Sequence, residues 1–500
     1  MLIACRQLLK FEEKIMQDKD TTVGTASGDD ELVELGVAAA AAAIRNGDIT
    51  SEAYASALLR RARKHADLNS FITIDESAVL AAAEEADKAR AAGSTAPLLG
   101  VPIGIKDSYA TAGVRTTLGV GNLKDFVPKH DADVVVALQN AGGIVFGKNN
   151  LVEMSFGLTG HNSTYGQVKN PYSHAHVPGG SSSGSGAAVA ARIVPASTGG
   201  DTVGSIRVPA SLCGVVGYKP TNGRWPGGGV APISHTLDTT GILARSVEDC
   251  ALLDQIVTRD TTAPMSQRSD LRGVRFAQAP RQYMKVIDPE TAAHFTAALE
   301  RLRDAGADVV EIDLGDDFMD TTNQLTWNFF FREMREAVTQ FVARNSFPVT
   351  FDEIYSDIKP QLKAIWSQVV VPGGPGYLSD EGYESALAAE RPQLQRRLGQ
   401  VFTHNAADAL LFPTTPCPAP LIEHGSNFTI AGHQVDDRFL AYNTIPTSGA
   451  GLPGISIPIG LSTKGLPIGL EIDAAHGEDS NLFDLARRVE SLFDALPTPA

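Results

Sequence analysis

Cysteine is scarce, with four in 500 residues: Cys5, Cys213, Cys250 and Cys417. They lie far apart and none forms a C-x-x-C pair. Neither a disulfide framework nor a zinc site is expected, and a reducing compartment suits them. Long apolar runs are also missing. No stretch of about 18 apolar residues occurs, so no segment is expected to span a membrane. The opening run Met1-Leu2-Ile3-Ala4-Cys5 is interrupted at Arg6, and Lys10, Glu12, Glu13 and Lys14 follow. Such a run is too short for a signal peptide, and a cytoplasmic location is expected. Basic blocks are absent too. The net charge is −16 and is spread along the chain. Nucleic acid is a poor partner for it, because phosphate binding needs a basic patch. A solvated acidic surface is the better reading.

Several motifs are absent or incomplete. No G-x-x-x-x-G-K-[ST] occurs, so the glycine-rich stretches are not a P-loop. Ser356-Asp357-Ile358-Lys359 matches S-x-x-K, but no K-T-G accompanies it. His174 and His176 lack a third ligand at useful spacing and read as solvated loop residues. No metal and no cofactor is expected. Gly180-Ser181-Ser182-Ser183-Gly184 matches the G-x-S-x-G elbow, yet His174 to Pro178 before it read as loop, where that motif needs a strand.

The chain length allows two domains or one large α/β domain. Residues 1–30 end in a polar run and read as a loose or accessory segment. Apolar periodicity and capping residues then predict helices over 32–44, 51–64, 78–92, 131–140, 246–257, 289–304 and 480–493. Short apolar runs predict strands over 71–74, 101–105, 144–147, 212–219, 274–277, 309–312, 410–413, 454–460 and 467–472. The strand–helix–strand order across 274–312 argues for a parallel or mixed sheet covered by helices. Residues 316–400 carry Trp327, Phe329, Phe330, Phe331, Trp366 and Tyr377. They read as helical packing more readily than as a cover over a substrate.

Two Gly/Ser-rich stretches organise the rest. The first is Gly179-Gly180-Ser181-Ser182-Ser183-Gly184-Ser185-Gly186. The second is Gly199-Gly200-Asp201-Thr202-Val203-Gly204-Ser205-Ile206-Arg207. Glycine lets backbone N–H groups converge on one point. A serine in such a turn presents its hydroxyl beside those donors, which is the combination acyl transfer requires. A loose linker is disfavoured by the apolar runs flanking both stretches. Upstream, Val101 to Ile105 read as a buried strand ending at Lys106. A lysine there is either a snorkelling surface residue or, if buried, a usable base.

Together these residues resemble the amidase signature family. The resemblance is carried by Gly104-Ile105-Lys106-Asp107, Gly179-Gly180-Ser181-Ser182, Asp201, and Ser205-Ile206-Arg207-Val208-Pro209-Ala210. It extends over about residues 31–495 and includes Asn170-Pro171, Gly217-Tyr218-Lys219-Pro220-Thr221 and Gly451-Leu452-Pro453-Gly454. It implies a large mixed β-sheet covered on both faces by helices. It also implies one domain over 31–500, with a variable substrate-side region inside 316–450. It implies Ser205 as acyl nucleophile, Ser181 (following a cis peptide) as proton relay, and Lys106 as ultimate base. The N–H groups of Thr202, Val203, Gly204 and Ser205 would form the oxyanion hole. Ser182, Asp201 and Arg207 would support the turns. Val203 stands where the family has Gly or Ala. Either the backbone keeps φ negative there or the oxyanion hole is reshaped.

The implied partner is a small-molecule amide, and a homodimer is compatible with the resemblance. The expected reaction is hydrolysis of carboxylic amides to acid plus ammonia or amine through an acyl-enzyme. Gly223-Arg224-Trp225-Pro226 and Pro232-Ile233-Ser234-His235-Thr236 are similar to the branch acting on mandelamide and indoleacetamide. Aryl esters, anilides and carbamates are reachable by the same chemistry. The alternative is the glutaminase component of a tRNA-dependent amidotransferase. Against it, Val208 stands where that component has Gln, and Trp225-Pro226-Gly227-Gly228 replace its Tyr-rich segment. A non-catalytic scaffold would have no need of Lys106, Ser181 and Ser205 together.

Overall fold

A computed structural model describes residues 25–260 and 268–499. An eleven-stranded mixed sheet runs through them. In chain order the strands are β1 (Phe71–Thr73), β2 (Pro102–Lys106), β3 (Ile144–Asn149), β4 (Ala196–Asp201), β5 (Val216–Lys219), β6 (Thr239–Ala244), β7 (Arg275–Gln278), β8 (Asp308–Glu311), β9 (Ala409–Pro413), β10 (Asn427–Ile430), β11 (His433–Asp436), β12 (Gly454–Leu461) and β13 (Pro467–Asp473). The spatial order of the large sheet is β1-β3-β2-β4-β6-β5-β12-β13-β9-β7-β8. β10 and β11 pair separately as a hairpin.

Helices cover both faces, and β9 shows why. Its side chains alternate, as a pleated strand requires. Ala409 and Leu411 enter one apolar cluster, built with helices Val37–Asn46, Ser51–Lys64, Val247–Thr258, Pro289–Asp304 and Asp479–Glu490. Leu410 and Phe412 enter the other, gathered around the long helix Phe318–Arg344. β7 and β8 pair in parallel around helix Pro289–Asp304, the βαβ unit expected from the sequence.

The structure corrects several expectations. Residues 1–24, with Cys5, lie outside the described residues. The boundary at residue 30 falls inside a helix, Thr25–Val33, where Arg60 Nη2 donates to Asp29 Oδ1 at 2.6 Å. The helix expected over 32–44 is two helices, broken before Val37, which opens the second. The strand expected over 212–219 begins at Val216, because Arg207–Cys213 is a helix closed by Gly214 in the left-handed region. Gly199-Gly200-Asp201 is the end of β4 rather than a turn. A Cβ on Gly199 would lie 2.7 Å from Ile206 Cγ1, so this central strand is glycine where the following turn folds back on it. In the 316–400 region Phe329, Phe330 and Trp366 are buried in the second cluster, as expected of helical packing, whereas Trp327 and Phe331 are half-buried.

Candidate active site

β2 and β4 run parallel side by side, with Gly104 opposite Ser197. Their carboxyl ends deliver Lys106 and Asp201 to the same edge of the sheet. In α/β sheets the crevice beyond such strand ends is the usual ligand position. The buried helix Ser183–Ala190 packs beneath it, and Ser181 and Ser182 precede its first turn. The peptide bond joining Gly180 to Ser181 is cis, as the resemblance implied.

Lys106 is 1% exposed and Ser181 1% exposed. Lys106 Nζ donates to Ser181 Oγ at 2.9 Å, and Lys106 N donates to Thr198 Oγ1 at 2.9 Å. The surface reading of Lys106 is therefore wrong. Burial pulls its ammonium down to about 7, against the opposing charges of Asp201 and Asp238. A lysine held there is neutral in a large fraction of molecules at neutral pH.

Ser205 is 4% exposed. Ser182 N donates to its carbonyl at 3.2 Å, which ties the two Gly/Ser stretches together. Ser182 Oγ accepts from Gly200 N at 3.3 Å. Ser205 Oγ makes no hydrogen bond to Ser181 or Lys106. The structure thus joins the lysine and one serine directly, and brings the second serine beside them by backbone.

The turn Thr202–Ser205 is fixed from three sides. Arg207 grips Asp201 with two bonds, Nε to Oδ2 at 3.0 Å and Nη2 to Oδ1 at 3.1 Å. It also reaches Ser448 Oγ at 2.8 Å, the Thr444 carbonyl at 3.1 Å and Glu471 Oε1 at 3.2 Å. Burial alone would raise the Asp201 carboxyl, but the Arg207 guanidinium leaves it below its usual value. Thr444 Oγ1 donates to the Val203 carbonyl at 2.6 Å. Thr202 Oγ1 donates to Asp238 Oδ1 at 2.7 Å.

Val203 is absent from the non-glycine residues with positive φ, so the backbone stays in the region a β-branched residue tolerates. Its side chain is buried in the second apolar cluster. Gly204 carries the awkward geometry instead, with φ of 139°. A Cβ there would lie 2.3 Å from Thr444 Oγ1. Among the described residues nothing accepts a hydrogen bond from the amides of Val203, Gly204 or Ser205. Buried N–H groups are normally paired, so donors left free beside a serine suit an oxyanion.

Other expected candidates stand apart. His174 Nδ1 pairs with Asp67 at 3.0 Å, and His176 Nδ1 lies 2.8 Å from Ser173 Oγ. Lys359 Nζ lies 3.8 Å from Glu153 and bonds the His161 carbonyl at 3.3 Å, away from Ser356 Oγ, which donates to the Glu353 carbonyl. Among the described residues no group of three His, Cys, Asp or Glu side chains is arranged to hold a metal, and no helix is long and apolar enough to cross a membrane. Sequence reasoning did not single out Asp238, Glu333 or Thr444. None sits in a periodic pattern, and the only cue to Asp238 is its place just ahead of the buried strand β6.

Solved structures share this architecture. A crystal structure of an amidase superposes with a TM-score of 0.81 at 28% identity, covering 92% of this chain and all of that one. Amidases share this fold, and this protein is an amide hydrolase. It belongs to the amidase family, whose family model matches residues 53–483. Mandelamide hydrolase of Pseudomonas putida is 36% identical over 94% of this chain and 94% of its own length. One component of the glutamyl-tRNA(Gln) amidotransferase of Desulforapulum autotrophicum is 34% identical over 93% of this chain and 99% of its own.

Proposed function

We propose that this enzyme hydrolyses aryl or arylalkyl carboxamides, releasing the acid and ammonia or an amine, with Ser205 as nucleophile. The observation that carries the reading is the buried Lys106–Ser181 hydrogen bond at 2.9 Å, beside a turn whose amides are free. Neutral Lys106 accepts the Ser181 proton while Ser181 accepts the Ser205 proton, and Ser205 Oγ attacks the carbonyl carbon. The carbonyl becomes an oxyanion held by the N–H groups of the 202–205 turn. A single such donor is worth about 3–4 kcal/mol of barrier. Ser181 then returns a proton to the departing nitrogen, the C–N bond breaks and the acyl-enzyme forms. Water, activated by the same relay, breaks the ester bond and restores Ser205. Substrate binding closes the Ser205–Ser181 contact, since catalytic hydrogen bonds are often long before the substrate arrives. Asp201, Arg207 and Ser182 hold the turns in shape.

The aryl preference draws support from the mandelamide-hydrolysing relative. It draws further support from the half-buried Trp327 and Phe331, stacked with centroids 5.5 Å apart beside Phe156 and Phe330. The alternative, a glutaminase working with partners on transferred ammonia, is favoured by the comparable identity to the amidotransferase component.

The test is product release from phenylacetamide, indoleacetamide, an anilide, glutamine, an aryl ester and an aryl carbamate, with Ser205→Ala run beside the wild type. Turnover of aryl amides, lost in the variant, is expected. Turnover of glutamine alone would favour the amidotransferase reading. Turnover surviving in Ser205→Ala would remove Ser205 from the chemistry and direct the test to Ser182.

A further inference from the structure

We propose that Asp238 is a positioning residue of the hydrolytic site, holding the oxyanion turn through Thr202 and fastening it to the loop that leads into β6. The inference rests on Ser205 being the nucleophile. Asp238 uses both carboxylate oxygens. Oδ1 accepts from Thr202 Oγ1 at 2.7 Å, on the first residue of the turn. Oδ2 accepts from Ile233 N at 2.7 Å and Ser234 N at 3.0 Å. Asp238 N in turn donates to the Ser234 carbonyl at 3.0 Å. One short side chain therefore closes the 233–238 loop on itself and ties that closed loop to the turn.

The far side of the loop is anchored just as firmly. Buried Glu333, on the long helix Phe318–Arg344, accepts from Ser234 Oγ, from Thr236 N at 2.9 Å and from Tyr383 OH at 2.6 Å. Trp327, Phe330 and Phe331 ride on that same helix. Glu333, the 233–238 loop, Asp238 and Thr202 thus make a continuous hydrogen-bonded path from the aromatic helix to the turn that carries Ser205. Within this path Glu333 reaches the turn through Asp238, which makes Asp238 its joint.

The carboxylate has a second consequence. Lys106 feels two negative charges, Asp201 and Asp238. Asp201 is neutralised by Arg207 at hydrogen-bond distance, with Lys219 also acting on it. Asp238 has no cation at salt-bridge distance among the described residues. It faces Thr202, the Ile233 and Ser234 amides and the like charge of Glu333, and burial raises its carboxyl to about 6. Above that pH it is the uncompensated anion of the site, and it favours the charged form of Lys106. Removing it makes Lys106 easier to deprotonate.

The experiment uses the full chain with an aryl amide and three variants: Asp238→Asn, Thr202→Val and Ser205→Ala. It reads kcat and KM, the pH profile of kcat/KM, and thermal melting. Asp238→Asn is expected to lower kcat about 10- to 100-fold, the range of one or two hydrogen bonds to a charged group. KM should stay within about threefold, since the lost contact acts on the transition state. The acid limb of kcat/KM should move to lower pH. Thr202→Val should lower kcat alike and move the limb less than Asp238→Asn does, because it cuts the same bond and keeps a carboxyl that still ionises. Wild-type kcat in either variant overturns the proposal, and so does an unmoved limb in Asp238→Asn. Should Asp238→Asn fail to fold, Thr202→Val decides through kcat. Activity surviving in Ser205→Ala would instead sink the assignment of the nucleophile, a result separable from both.

Discussion

Lys106 Nζ and Ser181 Oγ meet at 2.9 Å in a space closed to solvent on both sides. A lysine pulled down to about 7 by burial is a base near neutrality and a charged spectator a little below it. The kcat/KM of the enzyme should therefore fall on the acid side with a limb near pH 7. Lys106→Met should lose about a thousandfold or more, and Lys106→Arg should rescue nothing, because a guanidinium stays protonated. A flat profile between pH 5 and 8 would show that Lys106 is not the titrating base.

The same burial has a thermodynamic signature. The folded chain holds the Lys106 proton less tightly than the unfolded chain does, with about 7 against an ordinary value of 10.5. The unfolded state binds more protons between those values, so stability from this group rises with pH across the window. The cost of burying the charge is full below pH 7 and fades toward 10.5. Lys106→Met should thus raise stability at pH 6 by a few kcal/mol, and by much less near pH 10. Chemical denaturation at the two pH values reads the difference. An equal change at both would mean that the folded and unfolded chains hold the Lys106 proton alike.

Arg207 sits completely buried between Asp201 and Glu471. Removing one partner of a buried ion pair strands the other charge, at a cost of about 3–5 kcal/mol. Arg207→Met should show that loss in urea unfolding. Material that still folds should lose kcat, because Asp201 also holds the Ile206 amide at 3.2 Å behind Ser205. Full stability in Arg207→Met would contradict the clamp.

The legible part of this chain was its chemistry. Lys106, Ser181, Ser182, Asp201, Ser205 and Arg207 were singled out through the resemblance to the amidase signature family, and the fold joins Lys106 to Ser181 and Arg207 to Asp201. The strands β7, β9, β12 and β13 were equally plain as apolar runs, and helix Pro289–Asp304 was plain from its cap and period. What the sequence concealed was the middle of the sheet. β4 ends in Gly199-Gly200-Asp201, which reads as a turn until the close approach of Ile206 explains the missing side chain. β6 was overlooked because Thr239-Thr240-Gly241 opens it with no apolar run. Asp238 and Glu333 were invisible for a different reason. Their partners are 36 and 99 residues away, Thr202 for the first and Ser234 for the second, and a carboxylate in a loop or on a helix looks solvated until the fold closes over it.

The aromatic helix offers the sharpest test of substrate choice. Phe329 and Phe330 are buried and belong to the core, so truncating them mixes stability with specificity. Trp327 and Phe331 are half-buried and stack on each other at 5.5 Å, with the Arg438 guanidinium 5.9 Å from the Trp327 ring. An aromatic surface left partly open stabilises an aryl group by about 0.5–1.5 kcal/mol beyond area burial. Phe331→Ala should therefore lower kcat/KM for phenylacetamide about tenfold and leave propionamide within about twofold. The loss should appear in KM, because an aryl ring bound equally in ground and transition states contributes uniform binding. Equal losses on both amides would mean that Phe331 only supports the fold.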